Sequence, residues 1–217
     1  MKHSQVMTGS LIVSLSLALT SFTAASAVTE NDTLTPIQHE WATCQYQSKD
    51  QDNQELCFNN LIKRTENALQ KQPDSNELKI WLAINKASLA GAKGGLGALS
   101  LAKEAKALLE QVIDVAPETL HGSAYTSLGS LYYKVPGWPI GFGDDDTAEE
   151  MLRQALTMNP DGIDPNYFYG DFLAEDGRKQ EAVKYLSRAL NAAPRVGRPL
   201  ADQGRRKEIK MRLESLK

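Results

Sequence analysis

Histidine and cysteine are scarce here, at three and two residues in a chain of 217. So small a supply of soft ligands works against a metal centre. Cys44, Cys57 and His39 match no common zinc spacing, and no metal ligand is expected. His39 and His121 belong to no His-Glu-x-x-His run and to no recognisable nucleophile setting. The expectation is therefore no catalytic residue, no cofactor and no enzyme. Neither sign of charge is in surplus: 24 Lys and Arg against 27 Asp and Glu give a formal net charge of -3, which removes the basic footprint of a nucleic-acid binder. Past Phe22 there is no apolar run long enough to span a bilayer, so no transmembrane segment is expected in the mature chain. Sustained apolar-polar alternation is also missing, which argues against a sheet.

What is present begins with a leader. Lys2 and His3 precede an apolar run from Leu11 to Phe22, followed by the small residues Ala25-Ser26-Ala27. This is the order of a cleavable signal peptide over residues 1–27, with the mature chain starting at Val28. No cysteine follows the cut, so there is no lipobox, and a periplasmic or secreted protein is expected. Export changes how the two cysteines read, because thiols that meet outside the cytoplasm are usually oxidised. Cys44 and Cys57 are the only possible pair and are expected to form a disulfide.

Prolines punctuate the rest. Pro73, Pro117, Pro160 and Pro194 each close a segment with helical periodicity, at intervals of 44, 43 and 34 residues. Ala105, Ala148 and Ala182 stand at one offset before three of them, each followed four residues later by Leu109, Leu152 or Leu186. This small-then-large spacing lets a second helix nest against a first. The copy Leu61, Thr65, Ala68, Pro73 is weaker. Upstream lie Tyr125-x2-Leu128-Gly129-x2-Tyr132 and Asn166-x2-Tyr169-Gly170-x2-Leu173, where the glycine permits close helix approach.

On these residues the chain resembles the tetratricopeptide repeat family, most specifically from Ile163 to Val196, where the spacing is the family's own. The resemblance implies an all-α, right-handed superhelix of about four helical hairpins (36–73, 78–117, 122–160 and 163–194) with a C-terminal capping helix over 199–217. The stretches Tyr132–Asp144 and Pro165–Phe172 are similar to exported bacterial tetratricopeptide proteins of unassigned function. They are distantly similar to the T component of tripartite periplasmic transporters, whose repeats associate with a solute-binding protein. The family further implies binding of peptides or proteins in a concave groove built from the first helix of each hairpin. Those helices carry Trp81, Tyr125, Tyr132, Tyr167 and Tyr169.

The longer intervals place extra residues between the helices of the second and third hairpins. Residues 91–100 are glycine-rich but lack the Gly-Lys-Ser/Thr order of a phosphate loop. Residues 135–146 hold Trp138 and Phe142 between prolines and glycines, and equivalent insertions in a solenoid should emerge side by side. The candidate binding residues are Tyr132, Trp138, Phe142, Tyr167 and Tyr169, with Trp138 and Phe142 turned toward Tyr132 rather than into water. The alternative is that these aromatics only cover the edge of the array. Asp146 with Glu149 fits a capping box, and Asp161 and Asp164 fit a turn around Gly162. Beyond Pro194 the charge reverses, with eight basic residues against three acidic, as suits a polar cap or a basic handle. The functional expectation is a binding or adaptor module for another protein, with a homo-oligomer possible. A small-ligand accessory protein of a transport system that uses the inserted loops, and a structural oligomerisation unit, stay open as alternatives.

Overall fold

The computed structural model describes Met1 and residues 30–217. The signal segment and the cut before Val28 therefore lie outside the described residues. Among the described residues there are nine helices and no strand: α1 Glu30–Gln47, α2 Gln51–Lys71, α3 Asn76–Lys93, α4 Gly95–Val115, α5 Ser123–Lys134, α6 Asp145–Met158, α7 Ile163–Glu175, α8 Lys179–Leu190 and α9 Pro199–Ser215. They pair in chain order into four hairpins, and α9 follows as a ninth helix. Each odd helix from α1 to α5 touches the next odd helix, so α1, α3, α5 and α7 make one layer. Each even helix packs between its own partner and the odd helix that follows it.

The repeat positions explain this packing. Ala105, Leu109, Ala148, Leu152, Ala182 and Leu186 are all fully buried, which is what four-residue spacing on one helical face produces. The glycines facing them are needed for the close approach. A Cβ on Gly170 would stand 2.8 Å from Leu186 Cγ and 3.0 Å from the Leu186 backbone nitrogen. In the weaker first copy Leu61 stands at the alanine position and Thr65 at the leucine position, both fully buried. The Thr65 hydroxyl donates to the Leu61 carbonyl at 2.8 Å and accepts from Asn85 Nδ2 at 3.0 Å. A buried hydroxyl is tolerated there because α3 supplies its partner. The Cys44–Cys57 disulfide forms, joining α1 to α2 with a Cα separation of 5.5 Å.

The two insertions have different fates. The first does not emerge as a loop: α3 and α4 extend to 18 and 21 residues and absorb it, leaving Gly94 as the single residue between them. Gly94 and Gly95 take φ of +62° and +64°, which lets the chain reverse in so short a space. The second does form a loop. Hydrogen bonds from Gly143 N to Pro136 O, Gly141 N to Gly137 O and Asp144 N to Tyr132 O, at 3.0, 3.1 and 3.0 Å, fold it against the end of α5. A Cβ at Gly143 would lie 1.8 Å from Val135 O, so this fold of the loop requires glycine. The insertions are neighbours, since a Cβ on Gly141 would stand 3.4 Å from Leu99 Cδ1.

The capping expectation needs correction. The cap of α6 is Asp144, not Asp146: its carboxylate accepts from Thr147 N at 2.7 Å. Glu149, released from that role, binds Arg178 at 3.0 Å and accepts from Tyr169 Oη at 2.9 Å. The expected C-terminal helix, α9, does more than close the last hairpin. Besides α8 it packs on α7 and returns to α1. His39 Nε2 lies 2.6 Å from Gly197 O, and Tyr46 Oη donates to Glu208 at 3.4 Å. The two ends of the array are joined across its inner layer.

Candidate functional site

With α9 against α1 and α7, the inner layer lines a half-open cavity of about 460 Å³. Trp41, Trp81, Ser88 and Phe168 line it, with Lys134, Asp164, Arg198 and Arg205 supplying charge. A second space of about 390 Å³ adjoins it, sharing Trp81, Asp164 and Arg198 and adding His121 and Arg195. The first is in the size range of small-molecule sites.

A charged cluster organises one wall. Asp164, at the start of α7, is bound by Arg195 Nη1 and, at 2.9 Å, by Arg205 Nε. Arg195 Nε also reaches Asp202 at 2.6 Å, and Arg205 Nη1 reaches Glu208 at 2.6 Å. Burial by itself would raise the Asp164 carboxyl, but the guanidiniums of Arg205, Arg195 and Arg198 outweigh it and hold the pKa at about 2. Arg205 also lies over the rings of Tyr167 and Phe168, 4.4 and 4.7 Å from their centroids. Arg198 differs from its neighbours. It stacks 5.0 Å over Trp81, forms no ion pair among the described residues, and its Nε is buried without a hydrogen-bond partner there. Burial, and then the nearby charge of Arg195, bring its pKa down to about 10.

The aromatic residues singled out from sequence do not converge on one site. Tyr132 and Phe142 meet edge to face at 5.6 Å, with Lys106 Nζ 5.7 and 5.8 Å from the two rings. Phe142 thus faces Tyr132 as expected. Trp138 does not: it is 90% exposed and projects into water with Ile140, itself 65% exposed. Its place in the loop explains this, because Gly141 and Gly143 take up the space against Val135 and Pro136 and turn the Trp138–Ile140 tip outward. Tyr167 is half-buried beside Phe168 and Arg205, and burial raises its hydroxyl to about 12. Tyr169 is a core residue, edge-on to Tyr185 at 4.7 Å.

The residues that meet at the cavity wall, Asp164, Arg195, Arg198 and Arg205, have other roles on sequence grounds alone. There the arginines belong to the basic C-terminal stretch and Asp164 to a turn. Among the described residues no group of three or more His, Cys, Asp or Glu is placed to hold a metal ion. No helix there is long and apolar enough to cross a membrane.

Residues 140–201 match the family model for the tetratricopeptide repeat. Among solved structures, TTC0263, a thermophilic tetratricopeptide protein of Thermus thermophilus, aligns with a TM-score of 0.54 at 15% identity, covering 84% of this chain and 98% of that one. MamA aligns with a TM-score of 0.42 at 17% identity, covering 84% and 90% respectively. No curated protein matches the chain. At 15% identity, the likeness to TTC0263 is one of fold. The fold is all-α and tetratricopeptide-like.

Proposed function

We propose that this protein is an exported, non-catalytic adaptor that docks another protein through the tip of the 135–144 loop. Tetratricopeptide folds are interaction modules, and the leader-like N-terminus together with the Cys44–Cys57 disulfide supports a periplasmic or secreted setting. One observation carries the docking site. Trp138 and Ile140 stand in solvent on a loop braced by backbone hydrogen bonds. Exposing large apolar side chains is unfavourable unless a partner covers them, and a pre-ordered aromatic anchor loses little entropy on binding. Tyr132 and Phe142, packed edge to face, hold the C-terminal part of the loop on α5.

The concave groove of a plain repeat array is a poor candidate here. Arg195 and Arg205 clamp the α9 region to α7, and Tyr46 and His39 tie it to α1, so a partner helix would first have to displace it. The partner therefore binds on the loop edge. A photo-crosslinking amino acid at position 138, compared with the same group at exposed Lys207 on α9, tests this in cells. A discrete adduct to a different protein is expected from position 138 only, and it should be lost with Ile140→Ser. A product containing only two copies of this chain, or equal products from both positions, would refute the adaptor reading.

A further inference from the structure

The interior cavity carries a separate signal, independent of the loop tip. Trp41 Nε1 donates to Ser88 Oγ at 2.9 Å, so one of the two facing indoles is satisfied. The other is not: Trp81 is 4% exposed and its Nε1 is buried with no hydrogen-bond partner among the described residues. Arg198, stacked on that same indole, leaves its Nε in the same condition. Both orphan groups are donors only, and both side chains line the same space. Buried donors left unmatched cost free energy, so the space is built for something that accepts.

The surrounding charges narrow what that is. Asp164, Asp202 and Glu208 match the three arginines in number, yet all three acids are bound by Arg195 and Arg205, and none forms an ion pair with Arg198. Lys134, also in the lining, is held by Asp171 and Glu175. Among the described residues of the lining, one cation is thus free of direct ion pairing, which suits one monoanionic group. A guanidinium offers parallel N–H donors that fit a planar carboxylate in bidentate fashion. A phosphate dianion would find only that single open cation. Trp41, Trp81, Ile84 and Phe168 give one part of the wall an apolar and largely aromatic surface, while Gln45, Gln54 and a row of serine and threonine hydroxyls line the remainder.

The geometry points to a binding site for a small organic monocarboxylic acid inside the repeat array, its carboxylate on Arg198 and the Trp81 indole N–H and its apolar body against Trp41 and Phe168. The cavity of about 460 Å³ equals roughly 15 waters' share of liquid volume, which suits a small molecule and not a helix.

Isothermal titration of the purified full chain tests this with benzoate, indole-3-acetate and hexanoate, each beside its primary amide, and with inorganic phosphate. At least one acid should bind saturably at millimolar concentration or below, and about tenfold or more tighter than its amide. Arg198→Gln should erase that preference while keeping wild-type helicity, since no ion pair is lost with it. Trp81→Phe, which keeps a ring and removes the N–H, should weaken the acid several-fold and retain the preference. Trp138→Ala should change nothing, which separates this site from the docking loop. The proposal is overturned if no acid binds, if amides bind equally, if phosphate outcompetes every acid, or if both Arg198→Gln and Trp81→Phe bind as wild type.

Discussion

Asp164→Asn should open the clasp between α7 and α9, and its cost can be worked from two directions. The substitution keeps size and removes the charge that Arg195 and Arg205 share. Breaking a buried ion pair by removing one partner typically costs about 3–5 kcal/mol, but here Arg195 keeps Asp202 and Arg205 keeps Glu208, so the low end of that range or less applies. The titration gives a second route. A carboxyl held at about 2 against an ordinary value of 3.8 corresponds to about 2.5 kcal/mol, and the 30% exposure of the side chain trims this by solvent screening to about 2 kcal/mol. For a domain of this size that lowers Tm by about 4–8 °C.

The pH dependence follows from the direction of the shift. Because the folded pKa lies below the unfolded one, the carboxylate's contribution is complete above about pH 4 and disappears as pH falls toward about 2. The difference between wild type and Asp164→Asn should therefore be full at neutral pH and vanish across that window. Glu149, held at about 2 chiefly by its bond to Arg178, titrates there as well but cancels in the difference. Urea unfolding followed by circular dichroism provides the measurement, with Asp161→Asn as control. Asp161 is paired to Arg188 but 85% exposed, and surface pairs of this kind contribute within about 0.5 kcal/mol. Hydrogen exchange should show α9 amides loosening first. If Asp164→Asn and Asp161→Asn have equal midpoints at neutral pH, or if the Asp164→Asn deficit persists unchanged at pH 2, the electrostatic account of the clasp is wrong.

Cys57→Ser should cost about 3 kcal/mol, the chain-entropy value for a sequence separation of 13, and both wild-type thiols should resist alkylation until reduced. Gly170→Ala should destabilise by about 1–3 kcal/mol in urea, because its methyl meets the Leu186 backbone nitrogen as well as its side chain; a neutral result would mean that α7 and α8 can separate freely. Trp138→Ala should leave the urea midpoint within about 0.5 kcal/mol of wild type while reducing partner binding by at least about 2 kcal/mol, and early melting with intact binding would contradict both the exposure and the docking role. Protein recovered from the periplasm should begin at Val28, as amino-terminal sequencing will show, whereas an intact Met1 would remove the exported setting.

The parts of this fold that are legible in the sequence are those determined within a turn or two of helix. Ala148 and Leu152, or Ala182 and Leu186, lie one above the other on a single helix, so their spacing reports their burial directly. The glycine of Tyr169-Gly170 is legible for the same reason, since it faces a large residue placed by the same repeat. The fate of the first insertion is not legible, because a count of extra residues does not distinguish a loop from an added turn on each of two helices. Gly94 and Gly95 permit the second outcome, and the good helix formers on either side favour it. The orientation of Trp138 escapes for another reason: the cost of exposing an indole argues for burial, while the close packing of Gly141 and Gly143 against Val135 and Pro136, which leaves the Trp138–Ile140 tip outside, is set by the loop's own backbone.

The cavity wall is hidden for a different reason. Arg195 and Arg205 reach Asp164 across 31 and 41 residues, and Tyr46 meets Glu208 across 162, so no local spacing records their encounter. One residue does carry a trace of it. Gly204 sits inside α9, where glycine costs about 1 kcal/mol relative to alanine, in a helix whose exposed polar residues give no reason for it. Its reason is Tyr46: a Cβ there would fall 2.4 Å from the tyrosine ring. A glycine that weakens a terminal helix from within is evidence that another element presses on that helix. Here that element is α1, and a C-terminal helix in contact with the first helix brings the two ends of a row of hairpins together on its inner face.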